Sequence, residues 1–145
     1  MAEVVRSALL PYAAEDIFAL VNDVARYREF LPFCIASEVI EASEYEVVGR
    51  MAFARLGMSH ALTTRNRLTR PSHIGIEFVD GPFTRLAGEW QFQALQAAAC
   101  KVSFRVEFEV QAKFLQFAAA SAISQAAQQA MDAFHKRAVQ LYGKR

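Results

Sequence analysis

Hydrophobic and polar residues alternate through the middle of the chain. Between positions 102 and 110, valine and phenylalanine occupy every second position, and polar or charged residues occupy the others. This alternation is typical of a strand with one buried and one solvated face. The period of two starts at Cys34 and is interrupted by turn-forming residues at 42–44, 57, 70–72 and 80–82. The pattern predicts an antiparallel meander of six strands.

A strand and two short helices are predicted before the meander. The strand covers positions 3–10 and ends at Pro11. Helical spacing of Ile17, Leu20 and Val21 predicts a helix over 14–21. A second short helix over 22–30 ends before Pro32, because the residue preceding a proline is pushed out of the α region. The predicted sheet then has seven strands, and the 145 residues are expected to form one α+β domain, 1–145.

The last segment, 114–142, is predicted to be one long helix. Seven alanines lie between positions 118 and 130, so the side chains are short where the helix covers the sheet. Alanine either allows close packing and favours helix, or it leaves a volume unfilled. In the second case, helix and sheet enclose an apolar pocket for a hydrophobic small molecule. The face predicted to lie on the sheet carries Ile123, Ala127, Ala130, Phe134, Ala138 and Leu141.

The strand over 58–69 carries polar residues on the face predicted to be inward. If Arg65 and Arg67 face solvent, then Leu62, Thr64 and Asn66 face inward, because side chains alternate across a strand. A buried polar group without a partner costs about 1–3 kcal/mol. The Thr64 hydroxyl and the Asn66 amide are therefore expected either to hydrogen-bond within the protein or to contact a molecule that enters it.

Composition and charge exclude several classes of protein. A chain with 54% hydrophobic residues and 12 phenylalanines is not intrinsically disordered. Its net charge of +1 gives no support to a general DNA or RNA binder held by bulk charge. The interval 47–70 nevertheless has no acidic residue. Its surface either binds phosphate groups, of lipid headgroups or of RNA, or is simply the solvated face of a strand. Its basic residues are Arg50, Arg55, Arg65, Arg67 and Arg70.

Catalytic and metal-binding motifs are absent from the sequence. Cys34 and Cys100 lack the spacing of a zinc site or a disulfide framework and are expected to be reduced and buried. The three histidines are scattered, with no carboxylate at metal-ligand spacing. No nucleophile elbow, P-loop or dinucleotide motif is present. Binding is therefore favoured over catalysis, and the absence of a signal peptide predicts a cytoplasmic protein.

Three strings of residues resemble a known family. The likeness as a whole runs from about Val5 to Tyr142, and the string from Asp80 to Phe92 is its most specific part. They resemble the coenzyme Q-binding protein and ribosome-association toxin family, a branch of the START-like (polyketide cyclase/dehydrase and lipid transport) superfamily. The strings are Val21-Asn22-Asp23-Val24 with Tyr27, Phe30-Leu31-Pro32 and Cys34; Thr63-Thr64-Arg65-Asn66; and Asp80-Gly81-Pro82-Phe83 with Leu86, Gly88, Trp90 and Phe92.

The resemblance implies a fold and two functions. The fold is the helix grip, in which a curved antiparallel sheet wraps around a long C-terminal helix after two short helices. Mitochondrial members are similar to START domains that hold ubiquinone and support respiration as a carrier or chaperone. Certain bacterial members are described as toxins that bind the large ribosomal subunit and block subunit association. Catalysis, as in polyketide cyclases of the superfamily, has no residue pair here to support it.

Our hypothesis is that the pocket between sheet and helix binds ubiquinone or a related polyprenyl quinone, with no covalent cofactor and no metal. A peripheral contact with the inner membrane is expected for its delivery. The alternative is binding to the large ribosomal subunit through the arginine-bearing strands. Thr64 and Asn66 are predicted to hydrogen-bond the quinone carbonyls. Strand parity predicts these pocket residues: Phe53, Leu62, Thr64, Asn66, Ile76, Phe78, Trp90, Phe104, Phe108, Ala122 and Ile123.

Overall fold

Seven antiparallel strands form one sheet in the order β1-β7-β6-β5-β4-β3-β2. The computed structural model describes residues 2–55, 58–112 and 119–144. The predicted meander is confirmed, because every sequential pair from β2 to β7 is hydrogen-bonded and β1 pairs with β7. The strands are β1 (Ala2–Leu10), β2 (Cys34–Ala42), β3 (Glu46–Arg55), β4 (Met58–Thr69), β5 (His73–Asp80), β6 (Phe83–Gln96) and β7 (Ala99–Val110).

In the described part of the chain, three helical segments accompany the sheet. Helix α1 spans Ala14–Asn22, as its spacing predicts, with acids Glu15 and Asp16 in the first turn, where they suit the helix dipole. The second predicted helix is a 3₁₀ helix, Val24–Glu29, and is shorter than expected. The Asp23 side chain does not cap it and instead lies 3.5 Å from Arg26. The chain then reaches β2 through the segment 30–33.

The long C-terminal helix α2 is confirmed over Ala119–Tyr142, and its predicted start at 114–118 lies outside the described residues. Ala127, Phe134 and Ala138 are buried on its inner face, as predicted. The prediction for Leu141 is wrong, since this residue is 53% exposed. At the end of the helix the inward position belongs to Tyr142, whose ring packs 6.0 Å from that of Tyr12.

The buried side chains form two clusters under the sheet. The larger joins α1, the sheet and the C-terminal half of α2 through residues such as Phe18, Trp90 and Phe134. The smaller contains Val4, Phe83, Val106, Phe108 and Ala127, at the opposite end of the sheet. Partly buried side chains such as Phe104 pack against both clusters.

Candidate functional site

A cavity of about 230 Å³ lies between the sheet and helix α2 and is partly open to solvent. Its wall is almost entirely apolar, and strands β3 to β7, the 3₁₀ helix and α2 all contribute to it. The described residues that line it are Val24, Tyr27, Leu31, Phe33, Gly49, Met51, Phe53, Leu62, Thr64, Asn66, Ile76, Phe83, Leu86, Trp90, Phe104, Val106, Ile123, Ala126, Ala127, Ala130 and Phe134.

Small residues lie on two walls of this volume. Ala126, Ala127 and Ala130 supply much of the helical wall. On the opposite wall, Gly49 lets the 3₁₀ helix pack closely against β3. A Cβ atom at this glycine would lie only 3.0 Å from Val24 Cγ1. The alanine-rich helix could either pack closely on the sheet or leave a volume unfilled, and the structure has the unfilled volume.

The polar part of the wall is a pair of neighbouring side chains on β4. The Thr64 hydroxyl donates a hydrogen bond to the Asn66 Oδ1 at 3.0 Å, which is the first of the two alternatives left open by the sequence. Both residues also line the cavity. The remaining capacity of the pair is two N–H donors on the Asn66 amide and the lone pairs of the Thr64 hydroxyl. A hydrogen bond to a guest molecule is compatible with the internal one.

Eight of the eleven residues predicted from strand parity lie around the cavity: Phe53, Leu62, Thr64, Asn66, Ile76, Trp90, Phe104 and Ile123. The other three do not line it. Phe108 is 1% exposed and packs on Phe83 with 6.0 Å between ring centroids. Phe78 also packs on Phe83, at 6.2 Å. Ala122 is half-buried one turn before Ala126 and shares its helix face, but its single methyl group does not line the cavity.

The 3₁₀ helix and the segment after it contribute wall residues that strand parity missed. Val24, Tyr27, Leu31 and Phe33 close one side of the cavity. The Tyr27 hydroxyl donates to the carbonyl oxygen of Val21, and burial of this hydroxyl raises the pKa of Tyr27 above its ordinary value. No sequence periodicity marks these residues, because a short 3₁₀ segment has neither the α-helical nor the strand repeat. Apart from the family string that contains Val24, Tyr27 and Leu31, their apolar character was the available signal.

The C-terminal end of α2 is held by polar contacts to the start of the chain. The Tyr12 hydroxyl donates to the Gly143 carbonyl oxygen at 2.7 Å, and the Tyr142 hydroxyl donates to the Asp16 carbonyl oxygen at 3.2 Å. Nearer the cavity, Arg137 donates to Glu29 at 2.8 Å. These contacts fix α2 at the end remote from the alanine-lined wall.

The N-terminal part of α2 is tied to the edge strand by one arginine. Arg6 pairs with Phe104 in the register and so lies on the inner face of β1. Its guanidinium donates to the Ser124 hydroxyl oxygen at 2.6 Å. An arginine at an inward position breaks the alternation of β1, and no local pattern in the sequence assigns it this role.

Comparisons with known proteins agree with this geometry. The family model described as polyketide cyclase / dehydrase and lipid transport matches residues 10–135. The chain belongs to this family. A solved structure from Thermus thermophilus has a TM-score of 0.87 at 14% identity, covering 97% of this chain and 99% of that one. The START-like helix-grip fold predicted from the sequence is confirmed.

Two named relatives correspond to the two functions that the sequence suggested. The ribosome association toxin RatA of Vibrio cholerae is 45% identical over 143 residues, covering 99% of each chain. The mitochondrial coenzyme Q-binding protein COQ10 of Drosophila melanogaster is 28% identical over 108 residues, covering 72% of this chain and 45% of that protein. Both names describe association or binding and neither describes a reaction.

The titratable groups of this family member offer little chemistry at the cavity. Among the described residues, no group of three or more His, Cys, Asp or Glu side chains is placed to hold a metal ion. Burial raises the pKa of the Cys34 and Cys100 thiols, so both are poorer nucleophiles at neutral pH. The Cys34 thiol donates to the Ala36 carbonyl oxygen at 3.3 Å. No helix of the described part of the chain meets the length and hydropathy needed to cross a membrane.

The outer face of the sheet is less basic than the sequence interval suggests. Arg65 Nε lies 3.0 Å from a Glu46 carboxylate oxygen, although the N–H is not aligned for a hydrogen bond. Arg67 donates to Glu77 at 3.0 and 3.2 Å. The acids come from the start of β3 and from β5, so the interval 47–70 is acid-free only along the chain.

The three other predicted basic residues differ in their surroundings. Arg50 is exposed and lies opposite Glu38 in the β2–β3 register. The Arg70 guanidinium lies 5.3 Å from the centroid of the Phe18 ring. The side chain of Arg55 lies outside the described part of the structure. A continuous phosphate-binding strip along these strands is therefore interrupted by carboxylates.

Proposed function

We propose that this protein binds a hydrophobic small molecule, ubiquinone or a related polyprenyl quinone, in the cavity and acts as a carrier or chaperone without catalysing a reaction. The observation that carries the proposal is an apolar cavity whose wall contains one polar pair, Thr64 and Asn66. Such a wall suits a flat apolar ring with a carbonyl group, because a few placed polar groups fix the orientation of an otherwise apolar ligand. Contact with a membrane surface stays a prediction.

The aromatic wall supports the same class of ligand. Trp90 and Phe104 lie side by side, with 4.7 Å between their ring centroids, and both face the cavity. Offset and edge-to-face contacts between rings contribute about 0.5–1.5 kcal/mol beyond the burial of area. Because Asn66 lines the same cavity, we propose that its amide donates to a carbonyl oxygen of a quinone ring held there.

The direct test is to identify what the protein carries. Protein purified from its native host would be extracted into organic solvent, and the extract analysed by mass spectrometry. The Ala126→Leu variant, which narrows the cavity, would be purified and extracted in parallel. We expect a quinone in stoichiometric amount with the native protein and a several-fold loss with the variant. A native protein that carries no quinone or other lipid would contradict the proposal.

We propose as a second function that the protein associates with the large ribosomal subunit. The supporting observation is the identity of 45% to a ribosome association toxin over nearly the whole length of both chains. Of the candidate basic surface, Arg50, Arg65 and Arg67 lie on the outer face of the sheet, on the side away from the cavity. Ligand binding and ribosome association would therefore use opposite faces of the sheet.

Co-sedimentation with purified large subunits would test this second function. We expect binding that weakens as salt rises, since contacts to phosphate release counterions. The Arg65→Glu/Arg67→Glu variant should lose binding, whereas Arg85→Glu, on the same face but on β6, should keep it. Thermal melts would establish that all variants are folded. Free protein at every salt concentration would eliminate ribosome association.

A further inference from the structure

The size of the cavity limits how much of a polyprenyl quinone can enter it. Its volume is about 230 Å³. An engineered protein cavity of about 150 Å³ holds one benzene molecule, and pockets for drug-sized ligands run from about 300 to 1,000 Å³. The cavity is therefore large enough for one substituted ring and a short substituent. It is too small for a tail of several isoprene units.

Among the described residues, the two hydrophobic clusters bound the cavity along the direction of the helix. On one side, the ring of Phe134 packs 5.5 Å from Trp90 and 5.6 Å from Tyr27. On the other side, Phe83 is packed on Phe108, which is 1% exposed. A tail that continues past either cluster has to displace close-packed side chains, which costs about 1–3 kcal/mol at each overpacked position.

The polar pair fixes where the ring would lie. Thr64 and Asn66 pair with Gly49 and Val47 on β3 and with Phe78 and Ile76 on β5. They lie in the interior of a 12-residue strand and between the two clusters. A ring whose carbonyl reaches Asn66 therefore lies between the two clusters. Only the partly open side is then left for its tail.

We infer that the cavity recognises the quinone ring with at most its first isoprene unit, and that the rest of the polyprenyl tail stays outside the protein fold. This inference rests on the proposed quinone binding and adds which part of the quinone is recognised. Specificity lies in the head group. Quinones with different tail lengths are then bound with similar affinity. A protein with this property carries quinones with one type of head group irrespective of the length of their tails.

Binding of short-tailed ubiquinones would test the inference. Trp90 is the single tryptophan of the chain and lines the cavity, so quenching of its fluorescence reports on occupancy. Titrations would use ubiquinone-0, ubiquinone-1 and ubiquinone-2, which carry no, one and two isoprene units. We expect ubiquinone-2 to bind within about three-fold of ubiquinone-1. Full burial of a second unit would instead raise the affinity by roughly a thousand-fold.

Variants separate failure of the inference from failure of the proposed function. Ala126→Leu should weaken ubiquinone-0 and ubiquinone-1 at least ten-fold, and Ser121→Leu, at an exposed position of the same helix, should bind like the native protein. Affinity that rises thirty-fold or more from ubiquinone-1 to ubiquinone-2 would overturn the inference and leave quinone binding intact. Quenching that Ala126→Leu does not change would place the ligand elsewhere and overturn it too. No binding of any of the three would overturn both.

Discussion

Replacing Ala126 by leucine tests whether the cavity is empty space. Ala126 lines the cavity and is half-buried, and it belongs to neither buried cluster. If the space is real, three added carbon atoms enter it and become buried. If α2 instead lies flush on the strands, the same atoms overpack the interface. The sign of the change in the free energy of unfolding therefore decides between the two cases.

The magnitude follows from the atoms added. Each buried carbon contributes about 0.8 kcal/mol, so three contribute at most about 2.4 kcal/mol. Ordering the leucine side chain costs about 0.5–1 kcal/mol, and leucine is slightly less favourable than alanine in a helix. We expect Ala126→Leu to stabilise the protein by about 1–1.5 kcal/mol, which corresponds to an increase in Tm of roughly 2–6 °C at this chain length.

Urea unfolding followed by circular dichroism would measure this change, with an unchanged m-value indicating that the same surface is exposed on unfolding. Ser121→Leu, at an exposed position of α2, is the matched control and should stay within about 0.5 kcal/mol of the native protein. Overpacking costs about 1–3 kcal/mol. A destabilisation of that size in Ala126→Leu would refute the cavity and with it the basis for ligand binding.

Three other expectations follow from single contacts. Gly88→Ala should unfold the protein or destabilise it by several kcal/mol in the same urea assay, because its Cβ would lie 2.5 Å from the Arg105 carbonyl oxygen; a stable variant would contradict this packing. The free energy of unfolding should fall as the pH rises above 10.0, the ordinary pKa of tyrosine. The pKa of Tyr27 is raised in the folded protein, so its contribution to stability is complete below that pH and is lost as the pH rises towards the folded-state pKa. Tyr27→Phe should flatten this alkaline decline, and an unchanged slope would assign it to other groups. Arg6→Ala should increase hydrogen exchange of amides in the N-terminal part of α2, because the bond to Ser124 is removed; unchanged exchange would show that this bond does not hold the helix.

The strand parity of β4 shows how far a local pattern reaches. Alternation alone placed Leu62, Thr64 and Asn66 on the inner face, where the structure has them. The same reasoning failed for Phe78 and Phe108, which share a face with cavity residues but pack on Phe83. Parity gives the side of the sheet and contains no information on the distance between a side chain and the cavity.

Charge pairing shows the same limit on the outer face. The interval 47–70 has no acid in the sequence, yet Glu46 and Glu77 lie beside Arg65 and Arg67 in space. Neighbouring strands bring together residues that are ten or more positions apart. A surface charge predicted from one strand alone therefore omits the charged side chains of the neighbouring strands.

The order of the elements, the inward face of most strands and the membership of the family could be read from the chain alone, because hydrophobic periodicity, turn residues and short motifs are local properties. Folding in three dimensions was needed to show that the alanines of α2 leave a cavity and that Gly49 lets the 3₁₀ helix pack against β3. It was also needed to show that Tyr27 and the 3₁₀ helix close the side of the cavity and that two aromatic clusters limit its length. A cavity forms where the separation of the backbones leaves more space than the side chains between them fill. That separation depends on contacts across the whole fold, which no local pattern contains.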